Sequence, residues 1–393
     1  MWRVSEAFRT KKAISFGFYF FSFAAVAFLL PNIVLYYQEL GFNGIQIGII
    51  VGIAPLITMV GAPLWTGLAD RKKRHMLIMS VAILSTVIIT TIFPLLKAFA
   101  PVMVLIGLFS IFNAPIPAFA DSATMAMLAG EKELYGRVRI GGTIGFGLAV
   151  IVASLIIQSS GIRWAFWGYA IMMFFALIVS RKFTFRKRGE SASLKWDIRW
   201  VLTSRQWIPF LALAFVGGVA FATIGNYLLP YMKELGASRA TMGIALTIAT
   251  LCELPVLYFS NLLLKRFKVY NLFIMGITIT GLRLILYALF NSPTGILFFQ
   301  LLNGMTFPLM WVAGVAYAEE NSPPGMKSTA QGLFGAMVLG IGAAVGGLLG
   351  GWMLESIGGE WMYLIFGSLV LICVGLITLV ERARGALPAR GEI

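Results

Sequence analysis

The sequence predicts an all-α integral membrane protein with twelve transmembrane helices in two six-helix pseudo-repeats. Three observations predict it. The 393 residues are 59% hydrophobic and only 12% charged, with mean hydropathy +0.88, whereas a soluble domain averages about 25% charged. The apolar residues fall in long runs, and a spanning helix needs roughly 20 of them. The two halves of the chain also echo each other at a single offset.

Twelve runs qualify as spans: 13–37, 44–68, 76–96, 101–128, 137–158, 163–181, 208–232, 240–264, 269–290, 294–318, 328–354 and 360–380. Short connections make consecutive segments antiparallel neighbours. The exception runs from Arg181 to Arg205 and carries Arg186-Lys187-Arg188, Lys195, Arg199 and Arg205. It divides the chain into a first six-helix bundle (1–181), a central cytoplasmic loop (182–206) and a second bundle (207–393). Residues 194–200 within it have the pattern of a surface amphipathic helix. The first segment is too long for a signal peptide and lacks an A-x-A-like end, so it is expected to remain as a helix.

A net charge of +15 would suggest nucleic acid in a soluble protein. Here the bases sit in short loops, where they set topology. With the amino terminus in the cytoplasm, all but five of the 31 Lys and Arg fall on the cytoplasmic side; the others are Lys97, Arg163, Lys233, Arg239 and the intramembrane Arg283. Both termini are therefore expected in the cytoplasm, in a multi-pass protein of the cell's inner (plasma) membrane.

A shift of 195 residues (231 − 36) brings Tyr36 onto Tyr231, Glu39 onto Glu234, Leu40-Gly41 onto Leu235-Gly236, Gly48 onto Gly243, Leu68 onto Leu263 and Arg71 onto Arg266. Gly161-Ile162-Arg163-Trp164 is echoed by Gly358-Gly359-Glu360-Trp361. Two parallel repeats about a membrane-normal axis are a carrier architecture, with the substrate site between the halves near the midplane.

Between the second and third segments stands Thr66-Gly67-Leu68-Ala69-Asp70-Arg71-Lys72-Lys73-Arg74-His75, which holds the only histidine. This stretch resembles the corresponding loop of the major facilitator superfamily, usually Gly-x-Leu-Ala-Asp-Arg-x-Gly-Arg-Lys/Arg. Aligned on Asp70, Thr66 replaces the first Gly of that pattern and Lys73 the second. The resemblance implies a gating role for Gly67, Asp70, Arg71 and Arg74. It places Asp70 near residues 326–328, where a carboxylate would meet the positive end of a helix.

A second stretch narrows the branch. Asp121-Ser122 is followed by Leu134-Tyr135-Gly136-Arg137-Val138-Arg139-Ile140-Gly141-Gly142-Thr143-Ile144-Gly145-Phe146-Gly147. This is similar to the proton-coupled permeases related to lactose permease, nucleoside permeases and phenylpropionate permeases. Those carry an acid on the fourth helix and Tyr-Gly-Arg-x-Arg opening the fifth. Asp121 and Arg139 lie 18 residues apart (139 − 121), the spacing of the acid and arginine of lactose permease that bind sugar. Gly141 stands where many relatives have Trp. The stretch from Ala330-Gln331-Gly332-Leu333 to Gly350-Gly351 resembles the same branch.

Four intramembrane charged positions stand out: Glu253, Arg283, Asp121 and Arg139. A charge at mid-bilayer costs about 2.5–3.5 kcal/mol on insertion scales, so it persists only if paired, solvated or used. Low dielectric favours the neutral form of a carboxyl, which suits Glu253 and Asp121 to proton coupling with Arg283 as modulator. A purely structural Glu253–Arg283 pair is the other reading. Asp121 and Arg139 could bind substrate, or Arg139 could be a cytoplasmic anchor. Lactose permease has a His and an acid on its tenth helix; the tenth segment here supplies Gln300, Asn303, Thr306 and Trp311 instead, which makes lactose itself a poor guess.

Further polar residues join the candidate substrate cavity: Asn32, Tyr36, Asn113, Asn226, Tyr227, Tyr258 and Tyr287. Gly342, Gly346 and Gly350, like Gly141 with Gly145 and Gly48 with Gly52, form smooth stripes. They are expected to pack helices closely and to let the two halves slide. Cys252 and Cys373 lie in apolar runs and imply no disulfide or metal site. No nucleotide loop or nucleophile constellation suggests an enzyme, and no cofactor or metal is expected. The expected partners are a small organic solute (sugar, nucleoside or aromatic acid), protons and membrane lipids, with no nucleic acid, around a monomer. The leading function is proton-coupled symport by alternating access. A proton-coupled exporter is the alternative, although segment five lacks the proline of many exporters; a transport-inactive receptor or scaffold is the alternative of another class.

Overall fold

A computed structural model describes residues 6–128, 134–185, 204, 206–323 and 326–383. The surface helix expected over 194–200 lies outside them. Every regular element among the described residues is helical. In order they are α1 (Glu6–Leu29), α2 (Ile33–Glu39), α3 (Gly44–Lys72), α4 (His75–Ile92), α5 (Phe99–Asn113), α6 (Ile116–Met127), α7 (Tyr135–Ser160) and α8 (Trp164–Ser180). There follow α9 (Trp207–Glu234), α10 (Arg239–Tyr258), α11 (Ser260–Arg266), α12 (Val269–Leu289), α13 (Pro293–Phe299), α14 (Phe307–Glu320), α15 (Lys327–Gly335) and α16 (Ala343–Ala383).

Ten helical stretches among the described residues are long and apolar enough to cross a membrane. The last, Thr329–Ala383, is 55 residues long and is broken at Gly358, whose φ of 79° is left-handed. A shorter apolar helix, α8, has 17 residues. Several breaks fall at proline, which cannot donate to the helical ladder and clashes with the preceding turn. Pro31 lies in the 3₁₀ turn Leu30–Asn32, Pro115 precedes α6, and Pro308 sits in the first turn of α14.

The chain divides into two compact units. Unit 1 comprises Met1–Ser191 with Ala237–Thr250, and unit 2 comprises Ala192–Gly236 with Leu251–Ile393. In unit 1, α1 packs on α7 and α8, and α4 packs on α8. A Cβ on Gly141 would lie 2.6 Å from the Phe16 carbonyl oxygen, and one on Gly145 would collide with that of Phe20. In unit 2, α9 packs on α16 and on the π-helical stretch Ala336–Gly342. Gly342 faces the Phe215 carbonyl, Gly346 that of Val219, and Gly350 the ring of Tyr227. These stripes therefore join helices of the same unit. For these two stripes the expected sliding of the halves is corrected: each contact is a backbone-to-backbone or backbone-to-ring fit inside one unit, and a Cβ would abolish it.

The loop after α3 also has a local physical cause. Asn43 and Gln46 form a reciprocal capping box at the start of α3, with Oδ1 of Asn43 accepting from the Gln46 N–H at 2.8 Å and Oε1 of Gln46 accepting from the Asn43 N–H at 3.0 Å. At the other end Lys73 adopts φ 54°, the only positive φ at a non-glycine among the described residues. That is the C-cap position where left-handed backbone favours glycine, and it is the position where the superfamily pattern has its second Gly.

Candidate functional site

Arg283 lies midway along α12 and is 1% exposed. A buried guanidinium needs an acceptor for each edge of its fork, and all the acceptors come from neutral side chains. Nε donates to the Tyr287 hydroxyl at 2.7 Å, one helical turn away. Nη1 donates to Oδ1 of Asn303 at 2.6 Å and to the Thr306 hydroxyl at 3.3 Å, and Nη2 donates to Oε1 of Gln300.

Gln300, Asn303 and Thr306 are three residues apart, and the chain from Gln300 to Met305 is a 3₁₀ helix. Side chains at i and i+3 eclipse in that geometry, so the three line one edge and converge on a single guanidinium. Pro308, in the first turn of α14, cannot donate to the Gly304 carbonyl, so one rung of an α-helical ladder is missing at this break. Gly304 lets this stretch rest on the backbone of α10, where a Cβ would collide with the Cys252 carbonyl oxygen. That contact sets Glu253 beside Asn303, whose Nδ2 donates to Oε1 of Glu253 at 2.7 Å. Glu253 and Arg283 form no ion pair with each other among the described residues; the Asn303 amide joins them.

Unit 1 holds a second grouping. Oδ1 of Asp121, on α6, accepts from the Tyr19 hydroxyl of α1 at 2.6 Å and from the Tyr135 hydroxyl of α7 at 2.8 Å. Arg139 Nη1 donates to the Tyr135 oxygen at 2.7 Å and lies 3.7 Å from Oδ2 of Asp121. Tyr135 and Arg139 are one turn apart on α7, so both reach the same carboxylate. Here too an uncharged side chain bridges acid and base. Unlike Arg283, this pair is open, with Arg139 49% and Asp121 40% exposed at the side chain.

The other candidates divide by their partners. Asn32 is buried and its Nδ2 returns to the Phe28 carbonyl at 3.0 Å, which repairs the helix beside Pro31. Asn113 accepts from the Tyr169 hydroxyl at 3.3 Å. Tyr227 is fully buried and donates to the Gly347 carbonyl, and Tyr36 donates to the Leu96 carbonyl at 3.3 Å. These four are occupied inside their own units. Asn226 is half-buried and makes no side-chain hydrogen bond among the described residues. Tyr258 is exposed. Asp70 accepts from, or pairs with, His75 Nε2 at 2.8 Å within unit 1, and the imidazole stacks on Phe185. Gly67 has open space around its Cα, and Arg71 and Arg74 are exposed. Sequence reasoning did not select Tyr19 or Tyr135 as site residues; the i, i+4 spacing of Tyr135 and Arg139 was the available signal.

The profile of the MFS_1 like family matches residues 14–365. The chain belongs to that family. It is a major facilitator transporter, a multi-pass membrane protein that acts on a small-molecule solute and is not an enzyme. Among its relatives of this family, the maltose permease of Geobacillus stearothermophilus is 26% identical over 376 residues, covering 94% of both chains. The uncharacterized transporter YwbF of Bacillus subtilis (strain 168) is 22% identical, covering 93% of this chain and 92% of the relative. The crystal structure of nucleoside transporter NupG shares the fold with TM-score 0.81 at 18% identity, covering 95% of this chain and 99% of that one.

Proposed function

We propose that this transporter is a proton-coupled symporter that imports a neutral, hydroxyl-rich solute, a sugar or a nucleoside, by alternating access. The observation that carries this reading is the pair of acid–arginine groupings, one in each unit, each bridged by an uncharged side chain. The open Asp121–Arg139 pair is the solute-binding end. It has no net charge, it offers both an acceptor and donors, and hydroxyl groups match both. The buried Glu253–Asn303–Arg283 group is the proton-coupling end, where taking up a proton removes the acid's charge and weakens the hydrogen bond from Asn303. A maltose permease among the relatives and a nucleoside transporter among the structural neighbours support this solute class. A net-neutral site fits an aromatic acid less well.

The architecture of the proposal has twelve spans, counting Thr329–Ala383 as two that meet at Gly358 and α8 as one more. They form six-helix bundles over 1–181 and 207–393 joined by a cytoplasmic loop, with both termini in the cytoplasm and the Asp70 loop gating the cytoplasmic side. The chain works as a monomer in the inner (plasma) membrane. Export is the second reading, favoured by Escherichia coli multidrug resistance protein MdtG, which is 27% identical over 231 residues but covers only 56% of each chain. The test is uptake into proteoliposomes of purified protein, with radiolabelled maltose, uridine and an aromatic acid, before and after an inward acid jump. Gradient-driven accumulation of maltose or uridine is expected. Accumulation of neither, or outward pumping only, refutes symport of this class.

A further inference from the structure

Tyr19 is the most deeply placed member of the Asp121 grouping, at 3% exposed. Its hydroxyl and that of Tyr135 both donate to the same carboxylate oxygen, Oδ1, at 2.6 and 2.8 Å. Two donors fill the lone pairs of that oxygen. The other oxygen, Oδ2, is 3.7 Å from Arg139 Nη1, beyond hydrogen-bond length. One N–H of that Nη1 goes to the Tyr135 oxygen at 2.7 Å, so the nearest Arg139 nitrogen is drawn to the phenol rather than to the carboxylate. The carboxylate is therefore held by one oxygen from behind, and it is kept from closing on the guanidinium beside it.

We propose that Tyr19 is the specificity-determining positioning residue of this transporter: it pins Asp121 by Oδ1 so that Oδ2 stays free to accept one solute hydroxyl while Arg139 donates to a neighbouring solute oxygen. The ligand class this selects is a neutral solute with two adjacent oxygens, at least one of them a hydroxyl. An anion would gain Arg139 but meet Oδ2, and a cation would gain Oδ2 but meet Arg139. Without the Tyr19 hydroxyl, Asp121 can turn and make the direct paired contact with Arg139 that carboxylate and guanidinium prefer. The solute then has to break that contact before it binds. The inference rests on the proposed solute class for its ligand but not for its geometry.

The experiment uses the full-length purified chain and the variant Tyr19→Phe, which removes one oxygen and keeps the ring packed against Phe18 and Phe23. Two readouts are taken. The first is labelling of Asp121 by a water-soluble carbodiimide, quantified on the peptide by mass spectrometry. Labelling is expected to fall several-fold in Tyr19→Phe as Oδ2 becomes engaged; unchanged labelling overturns the inference, whatever the solute proves to be. The second is uptake of uridine and maltose with their monodeoxy analogues. In the variant KM is expected to rise about tenfold, the effect of one charge-assisted hydrogen bond, at unchanged maximal rate. The wild-type preference for the parent over the deoxy analogue is expected to shrink by a similar factor. A variant that transports with wild-type KM and preference overturns the assignment. If the wild-type protein takes up neither solute, the function proposed above fails, while the labelling result still decides the role of Tyr19.

Discussion

Replacing Glu253 with Gln separates coupling from transport most cleanly. The perturbation is small in structural terms. Glu253 receives one hydrogen bond in this grouping, from Asn303 Nδ2 at 2.7 Å, and a glutamine keeps an oxygen at that place. Only the charge-assisted part of one bond is lost, about 1 kcal/mol. The melting temperature of the purified variant should therefore shift by no more than about 4 °C. The effect on accumulation is far larger, because the variant cannot exchange a proton at this position. One proton per solute under a gradient of about two pH units supports about 100-fold accumulation at zero membrane potential, since each unit is worth about 1.36 kcal/mol. The assay is radiolabelled uptake into proteoliposomes, with counterflow exchange measured in parallel at equal pH on both sides. Wild-type vesicles should accumulate solute when the outside is acidified, and Glu253→Gln vesicles should only equilibrate, at a ratio near one. Counterflow should persist in both. Gradient-driven accumulation by the variant would refute the assignment of coupling to Glu253. Loss of counterflow as well would show that the side chain serves binding or structure.

Further outcomes follow from the same geometry. Arg283→Lys replaces a planar fork with a point charge and leaves the acceptors of Gln300 and Tyr287 without their donor; a loss of about 3–5 kcal/mol is expected, read as a lower melting temperature together with abolished uptake. Gly304→Ala forces a Cβ against the Cys252 carbonyl and pushes Glu253 away from Asn303, so uptake should fall at least about tenfold, as for the loss of more than 1.4 kcal/mol of positioning, with the chain still folded by size-exclusion profile. Lys73→Gly removes the left-handed strain at φ 54° and should raise stability by about 0.5–1 kcal/mol in a thermal melt, the steric relief exceeding the added chain entropy. Asp70→Asn keeps the side chain's shape but removes its charge from the contact with His75 at 2.8 Å; slower uptake with unchanged solute affinity is expected, and a wild-type rate would reduce this loop to a topology signal.

The helical class and the candidate charges were legible in the sequence for a simple reason. Hydrophobic run length and the cost of an intramembrane charge are both one-dimensional quantities. Glu253, Arg283, Asp121 and Arg139 could be singled out without any knowledge of neighbours. Their partners could not. Asn303 was visible as a polar residue 20 positions beyond Arg283, but its role as the bridge to Glu253 depends on a 3₁₀ stretch that hydrophobic periodicity does not register. Asn32 and Asn113 looked equivalent to Asn303 in the sequence, yet Asn32 serves the Phe28 carbonyl of its own turn and Asn113 the Tyr169 hydroxyl, and neither joins a charged pair. The glycine stripes were legible as close contacts, but not which helix they contact, because a stripe fixes the distance of approach and not the neighbour.

By itself the sequence determined that the chain is helical and membrane-borne, because composition and run length set how much of it water can accept. It also determined which charges lie within spans. The tertiary structure alone decided how those charges are arranged. Two helices and a 3₁₀ stretch bring Glu253, Arg283, Gln300, Asn303 and Thr306 together, and three helices bring Tyr19, Asp121, Tyr135 and Arg139 together. A charge within a span must be satisfied by whatever lies within about 3 Å of it, and that distance is reached by residues far apart in the chain, 50 positions for Glu253 and Asn303 and 102 for Tyr19 and Asp121. Only the packing of helices sets which residues those are.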